Sequence, residues 1–354
     1  MDADRSSPLK RKKAMKLHLV KILLVLIIGG CITNKEKIKK TWIGKYEIQN
    51  TGTENERIMH SGIRRILKFD DKKLITKNFH FDFLTDDNNE VSKSFQIVEN
   101  QIILKEDTLS IKDISNDSLV FFSNSEYPSK VVYEKLPNHN QAKREKDFFD
   151  FITSNSFLIQ EDTVKIEFSP NGKYVSDNFK VGVGSNQFWM IDKFENELFL
   201  VLDGFWGAVF HIERFDSKRI VSKIYWKENK EIIFNKIDKE TGFNISEIIG
   251  EWEQQGNLIP PPPVENEEEF YNDETLKISE SEIIKFEGFQ RDTFTWELNR
   301  GKDIIILEGN KNIWNPKQWN ILSIEDDILT LKRKRRFKNL SGNIIETMKF
   351  KRKK

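Results

Sequence analysis

"IKDISNDSL" (111–119), "IERFDSKRI" (212–220) and "ILSIEDDIL" (321–329) carry apolar residues at the same offsets, three and then five. Each reads as a strand, a polar turn and the start of the next strand. Upstream of each lies an alternating segment: "ILKFDDKKL" (66–74), "VKIEFSPNGKY" (164–174) and "LKISESEII" (276–284). Phe69 precedes Ile111 by 42 residues, Phe168 precedes Ile212 by 44, and Ile278 precedes Ile321 by 43. A further strand pair sits between these anchors, "FQIVENQIIL" (95–104), "FWMIDKFENELFLVL" (188–202) and "FTWELNRGKDIIIL" (294–307), with Asn100, Asn196 and Asn299 at the turns. Each unit closes on an apolar-aromatic stretch and a base: "VVYEK" (131–135), "IIFNK" (232–236) and "MKFKR" (348–352). Three copies of one all-β unit account for the matching anchors. Period-2 alternation means one buried face and one wet face, the pattern of antiparallel meanders and barrels rather than of parallel sheet. The best helical candidate is "QAKREKDFFDFITSN" (141–155), placed between the first two units.

Composition agrees with a globular chain: of 354 residues, 38% are hydrophobic, 32% charged and 12% aromatic. The formal charge is +1. Residues 1–30 hold seven of the basic and two of the acidic residues, so a chain lacking them is near −4. Bulk charge therefore argues against nucleic acid as a partner.

The N-terminus carries a second signal. Lys16 and Lys21 flank the start of an apolar run, Ile22 to Ile28, that ends in Gly29-Gly30-Cys31. The run is far shorter than the ~20 residues a membrane-spanning helix needs. Its layout, positive then apolar then small, is that of a secretory signal. Cys31 is the only cysteine, so no internal disulfide can form. "IGGC" (28–31) resembles the bacterial lipoprotein lipobox, which implies cleavage before Cys31 and a diacylglycerol thioether on its sulfur. Met15 is an alternative start, since the stretch before it makes the charged region unusually long. The expected organisation is signal peptide 1–30, lipidated tether 31–40, and units at 41–137, 146–238 and 245–354. The expected location is the cell envelope, lipid-anchored, at an outer membrane facing the periplasm, with surface display as the alternative. The abundance of Lys, Ile, Asn and Phe suggests an AT-rich genome. "DTL" (107–109), "DSL" (117–119) and "DTV" (162–164) resemble the short O-glycosylation acceptor motif of Bacteroidota, which in a Bacteroidota-like host implies sugar on Thr108, Ser118 and Thr163.

"TWIGKYEI" (41–48) and "IIGEWEQQ" (248–255) open the first and third units. A Gly beside a Trp on the first strand, with a base on the last, is similar to the lipocalin-like domains of bacterial lipoproteins. That resemblance implies small β-barrels closed at one end by Trp42 with Gly44, and by Trp252 with Gly250. It also implies a base from the last strand over each ring, Lys135 in the first unit and Lys351 or Arg352 in the third. The order is W-x-G in the first unit, and the second unit lacks both residues, with Phe157 nearest in position.

Chemistry-bearing motifs are sparse. His60, His80, His139 and His211 fall at no metal-ligand spacing, and His80 with Asp82 gives two ligands at most. No nucleophile elbow, phosphate loop or zincin motif occurs. The sequence therefore predicts no enzyme, no metal and no cofactor. Phe188, Trp189, Phe205 and Trp206 are the candidate lining of a ligand pocket, the alternative being a packed core. "NLIPPPPVENEEEFYNDE" (257–274) is a stiff, acidic insertion and a candidate protein-docking loop. The basic stretches "LKRKRRFK" (331–338) and "KFKRKK" (349–354) read as solvated strand faces. The expected function is binding of a small hydrophobic ligand or a protein by a non-enzymatic lipoprotein, the alternative being a spacer with solid barrels. The sequence does not specify oligomeric state.

Overall fold

A computed structural model describes residues 34–59, 65–79, 90–105, 107–123, 128–159, 164–177, 188–202, 208–237, 242–257, 274–308, 318–336 and 343–354. The chain divides into two compact units, Met1–Asn78 with Asp87–Pro137, and Phe79–Asp86 with Asn138–Lys354. Both are antiparallel β, arranged as three sheets. The signal sequence, Cys31, His60, His80 and most of the insertion at 257–274 lie outside the described residues.

The first unit holds α1 (Asn34–Ile38) and nine strands: β1 (Thr41–Gln49), β2 (Arg57–Met59), β3 (Arg65–Phe69), β4 (Lys73–Asn78), β5 (Glu90–Val98), β6 (Gln101–Leu104), β7 (Thr108–Ile114), β8 (Ser118–Ser123) and β9 (Ser129–Lys135). On one edge β1 pairs first with β3 and then with β2, while β9 runs along its other edge. Pairing therefore passes from β1 through β3 to β9 and back to β1. The alternation puts Trp42, Leu67, Phe69, Ile102, Ile111, Leu119 and Tyr133 inside.

The second unit contains two sheets. A 3₁₀ turn (Gln141–Arg144) leads into α2 (Glu145–Ser154). Next come β10 (Ser156–Ile159), β11 (Val164–Phe168), β12 (Tyr174–Ser176), β13 (Trp189–Phe194), β14 (Glu197–Leu202), β15 (Ala208–Phe215), β16 (Arg219–Ile224) and β17 (Lys230–Lys236). Among the described residues β12 and β13 form the two edges of this sheet. The Lys173–Phe188 bridge and the Trp189 N–H donating to Gly172 O at 2.7 Å link them. Helix α2 sinks Phe148 and Ile152 into the aromatic core, and its Glu145 reaches Lys193 of β13 at 2.6 Å. A helix beside a sheet edge shields strand backbone from unwanted pairing.

The last sheet is a closed barrel of eight strands: β18 (Gly250–Asn257), β19 (Glu274–Ile278), β20 (Glu282–Glu287), β21 (Gln290–Leu298), β22 (Ile304–Glu308), β23 (Gln318–Glu325), β24 (Ile328–Arg336) and β25 (Asn343–Arg352). A one-turn helix, α3 (Ile245–Ile248), precedes it, capped reciprocally by Asn244 and Glu247.

The three quoted hairpins have a common irregularity. A bulge falls between Ile111 and Asp113, between Ile212 and Arg214, and between Ile321 and Ser323. The extra residue explains the apolar offset of three in an otherwise two-residue period, and it sharpens the local twist that curls a sheet into a barrel.

Within the second unit, the two sheets meet at a buried carboxylate. Glu167 of β11 is 4% exposed. It accepts hydrogen bonds from Asn299 Nδ2 at 2.8 Å and from the backbone N–H groups of Arg300 and Gly301 at 2.8 and 3.1 Å. Lys165 Nζ lies 3.3 Å from Glu167 and 3.0 Å from Asp303. Gln318 Nε2 donates to Ser176 O at 2.6 Å, and Lys173 pairs with Glu308.

Candidate functional site

The barrel ends differ in chemistry, and the tryptophans of the sequence analysis lie at one kind of end. Trp42 and Trp252 are fully buried. Trp42 Nε1 donates to Ile38 O at 3.0 Å and Trp252 Nε1 to Ile248 O at 2.8 Å, so a one-turn helix ending in Ile precedes both. Ile38 therefore belongs to the barrel floor, although it falls within the stretch expected to be tether. The Arg352 guanidinium stacks 4.2 Å from the Trp252 ring centroid and donates to the carbonyls of Glu247 and Ile249. Gly250 sits beneath it at φ +149°, and a Cβ there would lie 2.5 Å from a guanidinium nitrogen. The first barrel departs from the implied arrangement. The base over Trp42 is Lys40, 5.9 Å from the ring centroid, while Lys135 is Trp42's register partner on β9. Gly44 pairs with Tyr133 beside a bulge. Reversing the Gly–Trp order therefore goes with a different cover for the ring.

At the opposite end of the third barrel the inward-facing positions turn from apolar to charged. Leu329, Leu331 and Arg333 share a face of β24, Glu346, Met348 and Phe350 a face of β25, and Glu274, Leu276 and Ile278 a face of β19. Arg333, 3% exposed, makes two hydrogen bonds to Glu274 at 2.6 and 2.7 Å and one to Glu346. Burial pulls the Arg333 pKa down, but the two carboxylates outweigh it and hold the guanidinium charged well above its usual range. Lys285 extends the layer, between Glu287 at 2.9 Å and Asp292 at 3.7 Å. One base of the "LKRKRRFK" stretch is thus an interior residue, not part of a solvated face. The signal was present in the sequence: in each of the three strands a charge sits two residues beyond an apolar alternation. The β20–β21 turn at this end presents Phe289 fully to solvent, beside Gly288 at φ +55°.

Of the candidate pocket residues, Trp189 is 4% exposed and packed edge-on against Phe168 at 5.4 Å, its Nε1 donating to Ser169 O. Phe188 forms the bridge to Lys173. Phe205 and Trp206 lie outside the described residues. The outer face of Trp189 stacks on Phe149 of α2 at 5.8 Å, and together they floor an open cleft of about 400 Å³. Pro170, Gly172, Met190 and Ile191 complete its apolar lining, with Glu145 and Lys146 at the rim. The concavity therefore lies outside the barrel core, against the helix.

A further buried polar group lies on the outer face of β14–β16. Glu197 and His211 are 3% and 0% exposed. His211 Nε2 is 2.6 Å from Glu197 Oε2, and His211 Nδ1 is 2.9 Å from the Tyr225 hydroxyl. Glu197 Oε1 accepts the backbone N–H groups of His139 and Asn140 at 2.9 and 3.2 Å. Among the described residues no cluster of three or more His, Cys, Asp or Glu could hold a metal ion.

No family model and no curated protein matches the chain. Solved structures similar over most of its length include the following three. One is a tryptophan-to-alanine variant of transferrin binding protein B from Haemophilus parasuis, 8% identical, covering 89% of this chain and 76% of that one, with a TM-score of 0.18. Another is a protein of unknown function from the DUF3598 family of Nostoc punctiforme, 11% identical, covering 91% and 99%, with a TM-score of 0.19. The third is isotype 1 transferrin binding protein B from serogroup B Neisseria meningitidis, 8% identical, covering 89% and 75%, with a TM-score of 0.16. Scores of this size carry no argument about partner or ligand.

Proposed function

We propose that this chain is a lipid-anchored envelope protein that works by surface recognition, without catalysis, and that its barrels are solid supports rather than ligand cups. The observation that carries the reading is the filling of the barrel interiors. Trp42, Trp252, Trp319, Phe157, Phe168, Phe234 and Phe350 are all buried to below 2% exposure inside their sheets. In small barrels, side chains of this size fill the lumen. The seat of Glu167 makes the last two barrels one unit, which suits a protein presenting a fixed surface. The Cys31 thioether supplies the anchor. Replacement of Cys31 by Ser tests location: the protein is expected to leave the membrane fraction with its β-structure intact, and continued sedimentation with membranes would refute the anchor. Titration with a lipophilic fluorophore tests the interior: saturable quenching of Trp252 would refute solid barrels.

The cleft beside Trp189 favours a second reading, a small apolar ligand or an aromatic side chain of a partner held between Phe149 and Trp189. Quenching that vanishes in Trp189→Phe, and not in Trp252→Phe, would select it.

A further inference from the structure

Residues 138–144 lead into the second unit, and their attachment to it is unusually polar. Glu197 holds two of their backbone N–H groups, Ala142 N–H donates to Asn196 O at 2.9 Å, and Arg144 lies over the Phe215 ring at 3.9 Å. Asn140 adopts the left-handed region, φ +56°, with no side-chain cap on the turn that follows. The His139 ring lies against the His211 ring, centroids 5.1 Å apart. His139 Nε2 is buried without a hydrogen-bond partner, 4.0 Å from Glu213. Two imidazoles thus face each other across the surface by which this segment is attached.

We propose that Glu197, His211 and His139 form an acid-released latch: near neutral pH they fasten residues 138–142 to β14, and protonation of His211 frees them. The neutral state is fully bonded. Glu197 is an anion, His211 donates through Nε2–H to it, and His211 Nδ1 accepts from the Tyr225 hydroxyl. Protonation adds a donor at Nδ1, so the Tyr225 hydroxyl has to turn from donating to accepting, and it puts a cation against His139. Lifting the segment admits water to the ring.

Among the described residues, Phe79 packs on Phe199 at 4.9 Å over this face, and three further charged groups face the site. Glu213 of β15 lies beside His139, Lys223 of β16 stands 4.7 Å over the Tyr225 ring, and Asp192 of β13 is in register with Phe199, which stacks on His211. Burial holds the His211 pKa below its ordinary 6.5, against the pull of Glu197. Burial raises Glu197, but its bonds from His211, Asn140 and His139 outweigh that and hold it below its ordinary value. Both folded values lie below the unfolded ones. The stabilisation is therefore complete above about pH 6.5 and is lost as pH falls, His211 first and Glu197 only below its ordinary value of 4.5.

Hydrogen exchange on the full chain tests the latch. Protection of the His139, Asn140 and Ala142 amides, corrected for the intrinsic pH dependence of exchange, is expected to fall at least tenfold between pH 7.5 and 5. The β15–β16 core amides of Ile212 and Ile220 should hold theirs. His211→Gln keeps a donor to Glu197 and cannot titrate, so its protection should not change over that range. His139→Gln removes the repelling ring and should move the midpoint to higher pH. Flat protection in the unmodified protein would overturn the proposal. So would an unchanged midpoint in His139→Gln, a measurement that stands even where His211→Gln fails to fold.

Discussion

Glu167 and Gly301 meet closely enough that a side chain at position 301 would have to push the Lys165 ammonium out of the seat. Glu167 Oε1 accepts the Gly301 N–H at 3.1 Å. A Cβ on Gly301 would stand 3.0 Å from that oxygen and 1.9 Å from Lys165 Nζ. The β21–β22 turn of the third barrel is thereby a socket of backbone N–H groups for a carboxylate of the second, the kind of concavity that binds anions.

Gly301→Ala is therefore expected to displace Lys165 and open the seat. Loss of hydrogen bonds to a buried charged group costs about 1–3 kcal/mol. Calorimetry should show the second unit's two barrels unfolding at separate temperatures in the variant and together in the parent. A single unshifted transition would show that the contact does not couple them.

Arg333→Met should be among the most damaging substitutions in the third barrel. It leaves Glu274 and Glu346 buried beside one another, and breaking such a pair costs about 3–5 kcal/mol. Replacing all three residues with apolar ones of similar volume should recover most of that loss. Urea unfolding of the single and triple variants distinguishes a structural ion-pair layer from one kept for another purpose. In the second case the triple variant would fold but lose binding.

Arg352→Ala removes a stacked cation and two hydrogen bonds from the Trp252 floor. We expect a loss of about 1–2 kcal/mol in urea unfolding, from the sum of a cation–π contact and bonds to carbonyls. Lys135→Ala in the first barrel should cost less than 0.5 kcal/mol, roughly the level of an ordinary surface substitution. Equal losses at the two positions would show that Lys135 covers Trp42 in solution.

Phe149→Ala should leave the unfolding midpoint of the second unit nearly unchanged, because Phe149 is 36% exposed. It should instead red-shift the Trp189 emission by admitting water to the outer ring face. An unchanged spectrum would mean that the stacked pair does not persist in solution.

How much of this was legible in the sequence depends on the range of the interaction concerned. The three hairpins were readable because a bulge writes an offset of three into a two-residue period, which is local information. Trp42 and Trp252 are visible as aromatics on first strands, but spacing alone does not show which carbonyl each one binds, that of Ile38 and that of Ile248. The Arg333 layer could have been read as a charge ending each apolar alternation. It reads as a solvated strand face because its carboxylates, Glu274 and Glu346, are 59 and 13 residues away.

The Glu167 seat and the Glu197–His211 pair had no sequence signal at all. Glu167 bonds across 132 to 134 positions, and Glu197 holds a segment 57 and 58 positions earlier. Alternating polarity determines which face of a strand is wet and how strands follow one another, since each choice involves near neighbours. Which wet faces then become buried, and so which charges must find partners, is decided when separate sheets come together. That depends on distances in space that no spacing along the chain records.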